Sequence, residues 1–302
     1  MRSIKMIAGA MAATASLYIP SALAAPPTIY SGSGDDAATA LNAFRAAIGG
    51  DRNNAGPADS GRREISWDGV RLDGTDANPN TQVVDSGHTV IIPVDRFRAQ
   101  GALFGDPYAV SGDGFASVNP DTAGQFPAFS PNNTFVMQDE TPDQFDDRFI
   151  GQSFTIPGTT TAAGTRGFGA IFIDTEKAGS SSIEYLGHDT AGHEVSLGTF
   201  EVPTGASGEP QFLGVLFDSP VVTDVNLTVG TNTLFNFDGT SFQSFGGENL
   251  ASGTDLVVTD DFVFAEPTMA AAVPEPSSYV MVLAGLGLLG FAARRKMRLN
   301  LI

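Results

Sequence analysis

From residue 167 onward, apolar residues recur in short runs that mostly alternate with polar ones, separated by Gly, Pro, Asn and Asp. Segments 167–174 (GFGAIFID), 182–186, 195–202, 212–217, 221–229, 234–237 and 256–264 (LVVTDDFVF) read as strands. Turn residues at 176–179, 187–192, 205–210 and 219–220 divide them. Short strands at such spacing predict an all-β fold, an antiparallel β-sandwich of jelly-roll type. Upstream the pattern is weaker, with apolar runs at 90–94, 115–118, 134–137 and 152–156 between loops. Around residue 65, Ile65 and Trp67 alternate with Glu64, Ser66 and Asp68, as in a half-buried strand. One stretch has a different period. Ala37, Leu41, Phe44 and Ile48 share one face of a helix over 33–48, the one short N-terminal helix expected. Ser33 or Asp35 suits its cap, Asp35 and Asp36 suit its positive end, and Gly49-Gly50 stops it.

Two apolar runs fall outside this pattern, one at each end. Arg2 and Lys5 precede the run 6–18, and Ala22-Leu23-Ala24 is an A-x-A site. Residues 1–24 therefore read as a cleaved signal peptide, with the mature chain starting at Ala25. At the other end Val273-Pro274-Glu275-Pro276-Ser277-Ser278 leads into an apolar run at 279–293, closed by Arg294, Arg295, Lys296 and Arg298. The fifteen residues of that run would reach about 22 Å as a helix, against roughly 30 Å for a full span. The basic end should stay cytoplasmic while the rest of the chain lies outside.

A plain tail anchor is one reading. The combination of Val-Pro-Glu-Pro-Ser, a Gly/Leu-rich helix and Arg-Arg-Lys closely resembles the PEP-CTERM sorting signal. That resemblance implies recognition at Pro274, Glu275 and Pro276 by a membrane protease-transpeptidase, an exosortase. It also implies cleavage near residues 273–277 and loss of the transmembrane helix with its basic tail, Arg294, Arg295 and Lys296. The logic is that of a hydrophobic signal that is read and then removed. The expected division is a signal peptide at 1–24, an ectodomain at 25–267, a flexible linker at 268–273 and the sorting signal at 274–298. The protein would be exported across the inner membrane, held there transiently by its C-terminal helix, and then released to the cell surface or beyond.

Charge narrows the partners. The chain has a formal net charge of −18. Setting the two terminal signals aside leaves 10 basic against 33 acidic residues, a formal −23. Such a body repels nucleic acid and anionic membrane and favours cations. The absence of cysteine excludes disulfides, thiol catalysis and thiolate metal sites, so stability rests on the core and on any bound ion.

Candidate chemistry is sparse. Trp67, the only tryptophan, is either core or a sugar-stacking platform. His188 and His193 share a Gly-rich turn (GHDTAGH) without the i, i+4 spacing of a helical metal site. G-x-S-x-G does not occur. The loop 71–86 offers oxygen ligands at Asp73, Asp76 and Asn78 but lacks the distal Glu of an EF-hand. A structural Ca²⁺ is expected at Asp68, after the first strand, with Asp260 or Asp261 of the last. In a strand of period two the two neighbours point to opposite faces, so only one should ligate.

A second resemblance is carried by 61–70 (GRREISWDGV), 165–186 (TRGFGAIFIDTEKAGSSSIEYL), 212–217 and Asp260-Asp261-Phe262. These look like a group of secreted bacterial proteins of unknown function, which implies one continuous domain and no particular activity. The reading that follows is a non-enzymatic surface or matrix protein, sorted by an exosortase and associated with extracellular polysaccharide. The alternative is an extracellular enzyme acting on polysaccharide from a jelly-roll scaffold.

Overall fold

The computed structural model describes residues 25–54, 56–75, 80–136 and 148–273. Its first half runs β1 Thr28–Ser33, α1 Asp35–Ile48, β2 Arg62–Ile65, β3 Gln82–Asp85, β4 Thr89–Ile92, β5 Ala102–Phe104, β6 Tyr108–Ser111, β7 Thr134–Val136 and β8 Phe149–Phe154. The second half runs β9 Gly167–Ile173, β10 Ser182–His188, β11 Glu194–Glu201, β12 Pro210–Leu216, β13 Asp224–Thr228, β14 Phe235–Phe237, β15 Phe242–Ser244 and β16 Val258–Ala265. The runs seen in the sequence from residue 167 on thus appear as strands, shifted by a few residues at their ends. The run 115–118 does not: it is a buried turn, with Phe115 at a φ of 66°. The signal peptide 1–24, Asp76, Asn78 and everything from Pro274 on, including Arg294, Arg295 and Lys296, lie outside the described residues.

Every strand pairing is antiparallel, and the strands form two main sheets. The larger has the order β1-β12-β9-β16-β7-β6-β4-β3, with β2 also paired to β16. The smaller has the order β11-β10-β13-β8-β5, and β14-β15 is a separate hairpin. β16 is the spine of the larger sheet. It is buried along its whole length, with β9 on one side and β2 and β7 on the other. The strand read as first in the sequence is the second, since β1 precedes it and pairs with β12; it still lies beside the last, with Ile65 facing Phe262 and Arg62 facing Ala265.

The two sheets close on an aromatic layer. Phe154 of β8 packs on Phe168 of β9 and Phe264 of β16, at 6.1 and 5.3 Å between ring centroids. The hydroxyl of Tyr185 in β10 donates to the Phe168 carbonyl at 2.9 Å. Trp67 sits at the heart of this layer, 1% exposed. It stacks on Phe135 at 3.6 Å and meets Phe262 edge-on at 4.9 Å. Trp67 is core, and the sugar-platform reading falls with its exposure.

The opposite face of the larger sheet is covered by α1, whose Ala37, Leu41, Phe44 and Ile48 are buried as the spacing predicts. Phe44 packs on Phe212 at 5.6 Å. The helix comes this close because Gly169 and Gly214 lie opposite each other beneath it. A Cβ at Gly214 would fall 3.0 Å from the Phe44 ring. The expected cap is absent: Ser33 closes β1 opposite Gln211, the helix starts at Asp35, and Gly34 takes the cap position with no side-chain bond.

Two further departures matter for function. First, β16 carries a bulge: Thr259 faces Phe172 and Phe262 faces Ala170, so Asp260 and Asp261 together oppose a single residue. Second, residues 268–273 are not a free linker. Thr268 and Gly164 exchange backbone hydrogen bonds of 2.9 and 2.8 Å, Ala271 N–H donates to the Pro220 carbonyl at 2.9 Å, and Val273 N–H to that of His188 at 2.8 Å. Between these features lies a buried ion pair. Arg63, fully buried in β2, makes a forked contact of 2.6 and 2.7 Å with Glu266.

Trp67→Ala is expected to destabilise the folded protein by about 3–5 kcal/mol, read as the urea midpoint. An unchanged midpoint would contradict the core assignment. Arg63→Ala leaves Glu266 buried and unpaired, and should likewise cost about 3–5 kcal/mol. Arg63→Met paired with Glu266→Leu should recover most of that loss in the same titration, since it removes both charges together.

Candidate functional site

The bulge changes the chemistry of β16. In a regular strand Asp260 and Asp261 would diverge, but here both carboxylates reach the same hydroxyl. Ser130 Oγ lies 3.2 Å from Asp260 Oδ1, 2.9 Å from Asp261 Oδ1 and 3.2 Å from Asp68 Oδ2. The expectation that the two side chains point to opposite faces is thus corrected. All three residues named from the sequence meet at one point, because the extra residue of the bulge turns both side chains to one side.

Each flank of this cluster is held by the loop around Ser130. Asp260 Oδ2 accepts the backbone N–H groups of Phe129 and Ser130 at 2.6 and 3.2 Å. Asp68 Oδ1 accepts those of Asn132 and Asn133 at 2.8 and 3.3 Å. Asn133 in turn donates its side-chain amide to the Trp67 carbonyl at 2.9 Å, which fixes the turn carrying Asp68. Asp68 and Asp260 therefore direct one oxygen at backbone donors and the other at Ser130. Ser130 brings a single hydroxyl proton to three carboxylate oxygens, so it cannot satisfy them all.

Burial makes that deficit costly. It pushes the Asp260 carboxyl up to about 8, helped by the charge of Asp261, against the Phe129 and Ser130 N–H groups that favour ionisation. Burial also raises Asp261, opposed by the Ser130 hydrogen bond and the Arg45 charge. Arg45 reaches Asp261 at 3.4 Å but is shared with Glu64, which it grips at 2.9 and 3.2 Å. Burial of Glu64 is outweighed by its bonds to Arg62 and Arg45, and its carboxyl ends below the usual range. Carboxylate and hydroxyl oxygens are the ligand type that hard cations prefer over thiophilic metals, but here they converge on the Ser130 hydroxyl.

A second acid cluster was missed in the sequence. Asp174, Glu176 and Glu248 each bring an oxygen to within 4.8 Å of the others. Asp174 ends β9 at a φ of 75°, fully buried, with Gln125 Nε2 and Gly208 N–H as donors. Burial and a hydrogen bond to Glu176 raise Glu248 to about 8. The Asp-Thr-Glu at the end of a predicted strand was a visible signal for two of these residues. Glu248 comes from a distant Gly-rich loop with no pattern of its own.

The histidines do not converge. His188 Nδ1 lies 3.2 Å from Thr223 Oγ1, and exposed His193 lies 3.2 Å from Asp189 Oδ2. Asp189 organises their shared turn by accepting the N–H groups of Ala191 and His193 at 2.8 and 2.9 Å. His88 pairs with Asp85 in another exposed turn. A cavity of about 610 Å³ beside His188 is lined by Asp189, Glu194, Thr223 and Asp224, and by residues 270–272.

Among the described residues no helix is long and apolar enough to cross a membrane, and the apolar run 279–293 lies outside them. No curated protein and no solved structure matches this chain. Residues 272–296 match the PEP-CTERM protein-sorting motif, so the chain carries the signal of an exported exosortase substrate, anchored in the membrane until it is processed.

Proposed function

We propose that this is a non-enzymatic surface or matrix protein, delivered by its sorting signal and associated with extracellular polysaccharide, whose β-sandwich is stabilised by Ca²⁺. The observation that carries the reading is a sorting motif joined directly to a folded, strongly acidic β domain. Its acids support a structural use. In the cluster at Ser130 the carboxylates clamp backbone N–H groups of a loop rather than facing each other across an open cleft. With a formal −23 on the body, an uncharged polysaccharide is the compatible partner, or an anionic one bridged by Ca²⁺. The cavity beside His188, with Glu194 and Asp224 on its wall, is what favours the second reading, an enzyme acting on polysaccharide. A glycan array followed by product analysis separates the two: binding without cleavage is expected, and released oligosaccharide that disappears in Glu194→Gln or Asp224→Asn would establish the enzyme.

Sorting makes its own prediction. Protein recovered from the native host should begin near Ala25 and end before residue 279 by mass spectrometry. Replacing Pro274, Glu275 and Pro276 with alanine should leave the precursor in the inner membrane. A mature pool that retains Arg294, Arg295 and Lys296 would count against processing.

The Ca²⁺ site predicted at Asp68, Asp260 and Asp261 has a pH signature. Asp260 is raised from 3.8 to about 8 on folding, so its contribution is complete below about pH 4 and is lost as pH rises through about 8. Ca²⁺ replaces the proton, so its stabilising effect should be larger at pH 8 than at pH 5. With the affinity common in extracellular modules, Kd about 10⁻⁴–10⁻³ M, a hundredfold excess should add about 2.7 kcal/mol. Magnesium screens charge equally but tolerates irregular coordination poorly, so it should add less. Asp260→Asn should flatten both the pH slope and the Ca²⁺ response. If Glu248→Gln abolishes the Ca²⁺ response and Asp260→Asn does not, the ion belongs to the second cluster. Equal shifts with both ions would leave charge screening as the explanation.

A further inference from the structure

The segment that leads into the sorting motif is built into the rim of the folded domain. Its four backbone hydrogen bonds reach three separate places: Gly164, Pro220 and His188. Val273 also forms a parallel bridge with Asp189. Two glycines give it room. A Cβ at Gly164 would lie 3.1 Å from Ala270 Cβ, and one at Gly187 would lie 3.1 Å from Val273 Cγ2. Both would also press to 2.4 Å on backbone oxygens, of Pro220 and Val221 respectively. Met269 is 73% exposed, while Ala271 and Val273 pack half-buried against the core, so four backbone bonds and two small apolar contacts hold the segment.

The last of these bonds is made by Val273, and Pro274 is the next residue. From Val273 to Glu275 the chain spans at most about 7 Å. An enzyme that reads Pro274-Glu275-Pro276 at the membrane would therefore meet the folded domain itself. It would also find the residues ahead of the motif already engaged by backbone hydrogen bonds and two isolated bridges. Releasing residues 268–273 supplies six residues, roughly 20 Å of extended chain.

We propose that residues 268–273 are a latch on the sorting motif: the processing enzyme gains its substrate only after this strap is drawn off the rim at Gly164, Pro220 and His188. The proposal rests on the sorting reading and adds the step that controls it. Processing then runs at a rate set by the fraction of molecules with the strap released, a local opening distinct from global unfolding. The folded state of the ectodomain is thereby communicated to the enzyme that sorts it.

The test is a pulse-chase in the native host, following conversion of precursor to mature chain. Ala271→Pro removes the N–H that bonds Pro220 and lies ahead of the matched motif. A second variant, Thr268→Pro, removes the N–H that bonds Gly164 and also lies ahead of the matched motif. Losing one strap bond should shift the opening equilibrium roughly fivefold, so Ala271→Pro is expected to be processed about fivefold faster. Thr268→Pro should gain about as much. If both are processed at the wild-type rate while alanines at 274–276 block conversion, sorting stands and the latch is refuted. If the alanine variant is converted like wild type, the sorting reading fails and the latch falls with it.

Discussion

Much of this molecule depends on the fork between Arg63 and Glu266. Arg63 occupies an inward position of β2, the same face as Ile65, where sequence alternation alone would place an apolar residue; Trp67 lies beyond the strand, in a turn at a φ of 57°. Its guanidinium is retained there by both oxygens of Glu266, one residue beyond β16, and by the Gly56 carbonyl. Glu266 in turn accepts Asn53 Nδ2 at 2.8 Å and Ala58 N–H at 2.9 Å. One buried carboxylate thus fastens β2, the end of β16 and the loop 51–61. An ion pair so thoroughly desolvated contributes little net stability compared with apolar residues of the same volume. Its consequence here is register: slipping β2 by one residue along β16 would turn Arg63 and Ile65 outward together. The same register sets Asp68 beside Asp260 and Asp261, and fixes where the chain leaves β16 for the strap.

The sequence made the second half of the fold readable because its strands are short, bounded by turns and either alternating or wholly apolar. β10 has Ile183 and Tyr185 inside and Glu184 outside, a pattern a period-two reading recovers directly. β1 was not readable: Thr28–Ser33 is an edge strand, half exposed, and polar residues dominate it. β6, Tyr108–Ser111, is buried throughout and lies between Pro and Gly breaks too close together to suggest a strand. The helix face was legible to the residue, but its cap was not, because a strand that ends at Ser33 leaves Gly34 to begin the helix.

The candidate acids show a sharper limit. Asp68, Asp260 and Asp261 could be named from their places just after β2 and within β16, since those strands are neighbours. Their joint convergence on Ser130 could not, because a bulge is set by pairing with β9 and leaves no mark on the local pattern. Asp174, Glu176 and Glu248 were hidden for a related reason. Two of them flank a strand end, while the third arrives from a loop more than seventy residues away. Proximity of that kind is a product of tertiary structure, and no spacing rule anticipates it.

The pairing of the earliest strands with the latest ones bears on the journey across the membrane. β1, the first strand of the domain, has its partner in β12, and β2 has its partner in β16. Neither can find its place in the larger sheet until nearly the whole domain has been threaded through the membrane. Contacts so distant in sequence form slowly, because loop closure precedes any reward. The topology therefore delays completion of the larger sheet, whose spine is its last strand. Closure and the arrival of the sorting signal at the membrane become one event, separated by only a few residues of chain.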